Sequence, residues 1–176
     1  MNDMDINNLV STLLAVEKSV SVMYIAMFTI AFLVVKKINS ISISLLILCL
    51  GQGMASLVLA PLMRITTSSE LPSLFIWYGS WMSINVICLA LLVKFHRYHQ
   101  FRVSNVAVVI GGAYVFLTAI QGIDFIERAL FDSGGFAEMY QITIPAVNVG
   151  LIPVIAWLGL RELSLHLAHW GQFEEN

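Results

Sequence analysis

Charged side chains are scarce in this 176-residue chain, where Asp, Glu, Lys and Arg together make up 11% of the residues. An ordinary soluble domain carries roughly 25%. Hydrophobic residues reach 59% of the chain, and its mean hydropathy is +0.85. The formal net charge of −2 is too small to indicate a nucleic-acid partner or an acidic substrate. The composition therefore disfavours a water-soluble domain and favours a protein that is embedded in lipid.

Motifs that carry chemistry are also missing. The chain has no Gly-rich phosphate loop, no metalloprotease helix motif and no Ser, His and Asp set that would share a helix face. Its two cysteines, Cys49 and Cys88, lie inside apolar blocks, where a thiol packs as a small hydrophobic group. No internal repeat and no linker rich in Pro, Gly or Ser divides the chain, so residues 1–176 are expected to form a single membrane-embedded helical domain. We expect neither enzymatic activity nor a bound cofactor.

Five long apolar blocks occupy almost the whole chain. A helix needs roughly 20 predominantly apolar residues to cross a hydrocarbon core of about 30 Å. The blocks therefore predict an all-α, polytopic integral membrane protein, a bundle of about five transmembrane helices. The predicted spans are residues 19–35, 41–63, 74–93, 103–123 and 142–160. Apolar residues recur at helical spacing before the first span, so its helix is expected to begin near Asp5.

Basic residues at the ends of these spans predict the orientation. Six Lys and Arg side chains lie on one side of the membrane and three on the other, and the side with more of them is normally cytoplasmic. The larger group is Lys36, Lys37, Lys94, Arg97, Arg102 and Arg161, and the smaller is Lys18, Arg64 and Arg128. We expect a multi-pass protein of the cell inner membrane, with the N-terminus outside and the C-terminus in the cytoplasm. Trp77, Tyr78 and Trp81, near the outer end of the third span, fit an interfacial aromatic belt.

Three amide side chains lie inside the predicted spans at similar depth. Gln52 is near the middle of the second span, Asn85 near the middle of the third, and Asn148 about one turn outside the middle of the fifth. An unpaired amide in hydrocarbon costs several kcal/mol, so these side chains should face the interior of the bundle. They could form interhelical hydrogen bonds, which contribute about 0.6 kcal/mol each on average, or line a path for water or a ligand. No charged residue lies near mid-depth, which disfavours an ion-coupled carrier.

Small residues and prolines bear on how the helices pack. Gly51 and Ala55 form a small pair four residues apart, a spacing that lets helix backbones approach closely. Pro145 and Pro153 bracket Asn148 in the fifth span, and a proline removes one helical hydrogen bond and favours a kink. The fifth helix could be kinked and well packed, or it could be discontinuous and form a binding site at mid-depth.

All four histidines lie on the predicted cytoplasmic side, in two pairs with three-residue spacing. His96 and His99 precede the fourth span, and His166 and His169 lie in the C-terminal tail. Side chains at this spacing share a helix face, so the pairs are the candidate ligands for a metal or haem. No cysteine or nearby carboxylate reinforces them, and neighbouring basic residues repel a cation. We favour a basic and aromatic segment in contact with lipid headgroups, without a metal.

The densest charged group lies on the predicted outer side, after the fourth span. It consists of Asp124, Glu127, Arg128, Asp132 and Glu138. Arg128 is four residues from both Asp124 and Asp132, a spacing that allows ion pairs on a helix, so the fourth helix should continue beyond the lipid here. Such clusters are mostly solvated helix ends, whose ion pairs contribute less than about 1 kcal/mol each. A docking surface for a partner is the alternative.

Taken with the lack of a soluble domain, these features favour a small inner-membrane protein that acts through helix–helix contacts. It would be an accessory, sensor or assembly subunit of a membrane complex. Its partners would be the lipid bilayer and other membrane subunits or further copies of itself, not nucleic acid. One alternative is an oligomeric pore or channel former, of the lysis or defence-effector type, lined by the three amides. Another is a haem- or metal-binding membrane protein that uses the histidines.

Overall fold

The computed structural model describes the backbone of residues 3–35, 38–66, 71–131 and 135–174, and side chains mainly over 18–34, 38–66, 71–131 and 139–162. Over these ranges the protein consists of five α-helices without a β-strand. They are α1 (Asp3–Val35), α2 (Ser40–Ile65), α3 (Leu71–His99), α4 (Asn105–Phe131) and α5 (Ala137–Glu174). The prediction of an all-α bundle of five helices is confirmed. Four predicted spans lie inside one helix each, and the fourth span, residues 103–123, begins two residues before α4.

Four of the helices are long and apolar enough to cross a membrane. They are α2, α3, α4 and the Met139–Glu162 part of α5, whereas α1 contains a shorter apolar segment, Lys18–Val34. The protein is therefore a multi-pass membrane protein. Both α3 and α5 extend past the ends of their predicted spans. The predicted spans are shorter than these helices because the helical structure continues beyond the apolar segments.

Local polar groups determine where the helices begin. The Asn39 side chain accepts a hydrogen bond from the Ser42 amide, 2.8 Å away, and Asn at this position is a common helix N-cap. At the start of α4, the Ser104 hydroxyl accepts a hydrogen bond from the Ala107 amide at 3.1 Å. Just after α3, Gln100 adopts a left-handed backbone with φ of 52°. These groups end one helix and begin the next within a few residues, so the connections are short and consecutive helices pack as antiparallel neighbours.

The helices form a ring in chain order. Each of α1 to α4 packs against the next helix, α5 packs back against α1, and α2 also contacts α4 across the ring. The α1–α2 and α3–α4 connections share one end of the bundle, which we call the basic end because Lys94, Arg97 and Arg102 lie near it. The α2–α3 and α4–α5 connections share the opposite end, which we call the acidic end because Asp124 and Glu127 lie near it.

A glycine on α2 makes room for side chains of α3 and α4. A Cβ atom at Gly51 would lie 2.8 Å from the Tyr114 hydroxyl oxygen and 2.9 Å from the Cys88 sulfur. The contacts at Gly51 are thus made by side chains of α3 and α4 against the α2 backbone. On α5, a Cβ atom at Gly150 would meet nothing within 4 Å in the part of the chain that the structure describes.

Candidate functional site

A cavity of about 620 Å³ lies between the helices, and all five helices contribute to its wall. Exposed residues of α5, among them Ile142 and Val149, form part of the wall, so the cavity is open on that side. Its volume falls within the range of about 300–1,000 Å³ that is usual for small-molecule sites. Aliphatic residues form much of the wall, including Val20, which is the contribution of α1. The residues that line the cavity include no Asp, Glu, Lys or Arg. The cavity is therefore an uncharged chamber within a membrane-spanning bundle.

The three amides singled out from the sequence all line this cavity. Gln52 reaches it from α2, Asn85 from α3 and Asn148 from α5. Asn85 pairs with a residue that sequence reasoning missed, because its Nδ2 donates a hydrogen bond to Oε1 of Gln121 on α4 at 3.1 Å. Both partners of this bond are buried. Gln121 lies within the predicted fourth span, near its outer end, and an amide in that position was the signal that could have identified it.

Aromatic side chains form the part of the cavity wall that lies toward the acidic end. Trp77, Trp81 and Tyr140 line it there, and Tyr114 lines it at mid-depth. The rings of Trp77 and Trp81 meet edge to face, with their centroids 5.8 Å apart. The two tryptophans expected in the interfacial belt thus also form part of the cavity wall. The Trp81 Nε1 atom is buried and has no hydrogen-bond partner among the described residues.

A buried carboxylate lies beside the cavity toward the acidic end. Asp124 is fully buried, and its Oδ2 atom accepts a hydrogen bond from the Tyr78 hydroxyl on α3. Its second polar partner is the Arg128 guanidinium, whose Nε lies 3.3 Å from the carboxylate. The Tyr78 ring contacts the ring of Tyr140, with centroids 5.7 Å apart, so these groups adjoin the cavity wall.

This arrangement corrects the expectation of a wholly solvated charged cluster. Asp124 is buried because Tyr78, on another helix, supplies a partner that the local sequence does not reveal. Glu127 behaves as a helix-end residue, since its Oε2 accepts a hydrogen bond from the Phe136 amide at 2.9 Å. Asp132 lies outside the described residues, and for Glu138 the structure describes the backbone position in α5 but not the side chain.

The first histidine pair does not share an environment. His96 is buried, with Nε2 at 2.7 Å from the Ser40 hydroxyl oxygen and Nδ1 at 2.8 Å from the Leu92 carbonyl oxygen. The Ser40 oxygen also accepts a hydrogen bond from the Ser104 amide at 2.9 Å. His99 is exposed on the surface. The expectation of a headgroup-contacting segment is therefore wrong for His96, which joins α2, α3 and the start of α4 near the basic end.

A metal centre would need more ligands than these side chains supply. Within the described ranges, no group of three or more His, Cys, Asp and Glu residues is placed to hold a metal ion. The side chains of His166 and His169 lie outside the part of the chain that is described.

The fifth helix is continuous through Pro145 and Pro153, so the discontinuous-helix alternative is wrong. Between these prolines, the carbonyl oxygen of Asn148 accepts a hydrogen bond from the Tyr24 hydroxyl at 2.6 Å. Tyr24 is buried on α1. This bond joins α1 to α5 and closes the ring beside the cavity.

Comparison of the chain with protein-family models, with curated proteins and with solved structures yields no significant match.

Proposed function

We propose that this protein is a sensor or accessory subunit of the inner membrane that binds an uncharged, membrane-soluble molecule inside its helix ring. Occupancy of the cavity would then change the helix contacts through which the subunit acts on its partner. The observation that carries this proposal is the chamber of about 620 Å³, bounded by all five helices and lined by amides without any charged side chain.

A binding role explains this chamber better than helix packing alone. Protein interiors pack as densely as organic crystals, with few voids larger than a water molecule. Amides in a cavity within the bilayer also need hydrogen-bond partners, and the Asn85–Gln121 bond uses only part of the capacity of two of them. An occupant that fills the volume and pairs with the remaining polar atoms would satisfy both requirements.

The placement of the amides also distinguishes this function from an oligomeric pore. A pore assembled from several copies would require Gln52, Asn85 and Asn148 on a surface shared between copies. Instead, all three line one cavity whose wall is formed by the helices of a single chain. This geometry supports a binding site within each chain, with partners held on the outer helix faces.

In the proposed orientation, the cavity extends from about mid-depth toward the outer face of the membrane. The predicted topology has the basic end in the cytoplasm, and the aromatic side chains of Trp77 and Tyr140 line the cavity toward the acidic end. A ligand dissolved in the outer leaflet would then have the shorter route to the site.

Occlusion of the cavity is the direct test. Leu59 lines the cavity, whereas the side chain of Leu57, on the same helix, is 79% exposed on the surface of the bundle. We would purify wild type, Leu59→Trp and Leu57→Trp from native membranes and identify the small molecules and subunits that co-purify by mass spectrometry. A small molecule should accompany wild type and Leu57→Trp but be depleted from Leu59→Trp. Equal amounts in all three preparations would contradict a ligand in this cavity.

A further inference from the structure

We infer that a groove on the outer surface of α3 binds an anionic phospholipid from the leaflet at the basic end. The lipid phosphate lies between Lys94 and Arg97, and an acyl chain lies along Val86, Ala90 and Val93. This lipid site is separate from the cavity between the helices and does not depend on the proposed function.

The groove follows one face of α3 and has a volume of about 740 Å³. Val86, Ala90 and Lys94 line it at four-residue spacing, as do Val93 and Arg97, and side chains at this spacing share a helix face. The small side chain of Ala90 leaves the groove open between its larger neighbours. Val86 is 51% exposed and Val93 is 49% exposed, so within the described residues no other helix covers this face.

Two cations without a counter-ion lie at one end of the groove. Neither Lys94 nor Arg97 forms an ion pair or a side-chain hydrogen bond with a residue that the structure describes. An arginine guanidinium can bind two phosphate oxygens at once, and a lysine ammonium adds a point charge. Tyr98, which is 81% exposed, borders the same end of the groove and brings a hydroxyl donor. These groups together are suited to a phosphate.

The order of groups along the groove matches a phospholipid in one leaflet. Lys94 directly follows the predicted third span, whereas Val86, Ala90 and Val93 lie within it. From Val86 to Arg97 the helix rises about 16 Å, which is close to the half-thickness of about 15 Å of a hydrocarbon core. A lipid whose phosphate is level with Lys94 therefore places its chain beside Val86 and Ala90.

The charge of the headgroup follows from the same two cations. A zwitterionic lipid would bring a further cation to an end of the groove that already holds two, whereas an anionic lipid neutralises them. The ligand is therefore a phospholipid with net negative charge.

Two lipids with identical acyl chains test this site. We would titrate dioleoyl phosphatidylglycerol and dioleoyl phosphatidylcholine into the full chain in detergent and measure the affinity for the first bound lipid by native mass spectrometry. Wild type should bind the anionic lipid about 30-fold more tightly, which corresponds to about 2 kcal/mol, because two basic residues attract it. Equal affinities would overturn the proposal, and this comparison requires no variant to fold.

A pair of double variants assigns the preference to the groove. Lys94→Gln with Arg97→Gln should bind the two lipids with nearly equal affinity. Arg102→Gln with Arg161→Gln is the control, since it removes the same charge near the same end of the bundle while both positions lie outside the groove. The control should keep the preference of wild type. If it loses the preference as fully as the first variant does, the overall charge of the basic end attracts the lipid and the proposed site is wrong.

Occlusion of the apolar part separates a bound lipid from contact with its headgroup alone. Ala90→Trp fills the groove without a change of charge and should weaken binding of the anionic lipid about tenfold, because the chain loses apolar contact. Ile87→Trp is the control, since Ile87 is 45% exposed on the same helix but does not line the groove, and it should bind as wild type does. Unchanged affinity in Ala90→Trp would show that no acyl chain occupies the groove and would overturn the proposal.

Discussion

The hydroxyl of Tyr78 on α3 donates a hydrogen bond to the fully buried carboxylate of Asp124 on α4. Arg128, one helical turn further along α4, approaches the same carboxylate to 3.3 Å while its own side chain remains 32% exposed. Two groups thus stabilise the buried charge of Asp124: the neutral Tyr78 hydroxyl on α3 and the Arg128 guanidinium, one turn further along α4. Because the Tyr78 ring also contacts Tyr140 in the cavity wall, a displacement of Tyr140 by a ligand would affect this carboxylate through Tyr78.

Loss of the Tyr78 hydroxyl should therefore destabilise the bundle. Tyr78→Phe leaves the Asp124 carboxylate with one partner fewer, and we expect the free energy of unfolding to fall by about 2 kcal/mol. Thermal unfolding in detergent measures the effect. Tyr98→Phe is the control, since Tyr98 is 81% exposed, and its unfolding should match that of wild type. Equal stability of the two variants would show that the carboxylate does not depend on Tyr78.

Close helix packing at the centre of the ring should be sensitive to a single methyl group. Gly51→Ala places a Cβ atom within 3 Å of Tyr114 and Cys88, and such overpacking costs about 1–3 kcal/mol. Gly53→Ala, two residues along the same helix, meets nothing within 4 Å among the described residues. It should be neutral or stabilising, because Ala favours a helix over Gly by about 1 kcal/mol. Chemical unfolding of the two variants compares them, and the opposite order of stability would contradict the packing seen at Gly51.

The cavity amides should matter more for the ligand than for stability. Gln52→Leu and Asn148→Leu each remove a polar group from the wall, and we expect stability to change by less than about 1 kcal/mol. The amount of co-purified ligand should fall in both variants. Asn85→Leu should in addition destabilise the bundle by about 1 kcal/mol, because Gln121 loses its partner. Undiminished ligand in all three variants would exclude these amides from the binding site.

His96 should contribute to stability, whereas His99 should not. His96→Gln disturbs two buried hydrogen bonds, one to Ser40 on α2 and one to the Leu92 carbonyl within α3, and we expect the free energy of unfolding to fall by about 1–2 kcal/mol. His99→Gln, at an exposed position, should unfold as wild type does. Addition of a chelator should leave the stability of wild type unchanged. A chelator that destabilised wild type but not His96→Gln would instead indicate a bound metal.

The orientation of the chain in the membrane is tested by labelling of introduced cysteines. Gln100→Cys lies at the basic end and Phe136→Cys at the acidic end, and both positions are exposed. The distribution of basic residues predicts that, in intact cells, an impermeant thiol reagent labels Cys at position 136 and not at position 100. Both variants should react after the cells are opened. The reverse pattern in intact cells would mean that the topology is inverted.

The sequence allowed the helices to be predicted because a membrane requires long uninterrupted apolar segments. It also predicted that Gln52, Asn85 and Asn148 face inward, since an unpaired amide is unfavourable in lipid, and the structure places all three on the cavity wall. The partner of Asn85 could not be predicted, because pairing with Gln121 depends on the tilt and rotation of two helices. Periodicity along one chain segment carries no information about these quantities.

The buried polar groups at the two ends of the bundle escaped prediction for a similar reason. Asp124 and His96 lie near the ends of their spans, where water, headgroups or protein could equally surround a polar side chain. Each of the two is buried in protein through a hydrogen bond to a residue that is distant in sequence: Asp124 to Tyr78 and His96 to Ser40. A count of charges near the membrane boundary cannot supply such contacts.

The bond between Tyr24 and the Asn148 carbonyl joins the first helix to the last, and this has a consequence for biosynthesis. A ribosome delivers α1 to the membrane before α5, so the wall of the cavity stays incomplete until α5 has been synthesised. A chain truncated before Asn148 would insert most of its helices yet lack the closing contact. The proposed ligand would therefore meet a complete cavity wall only after α5 has inserted, and its presence would report that all five helices have assembled.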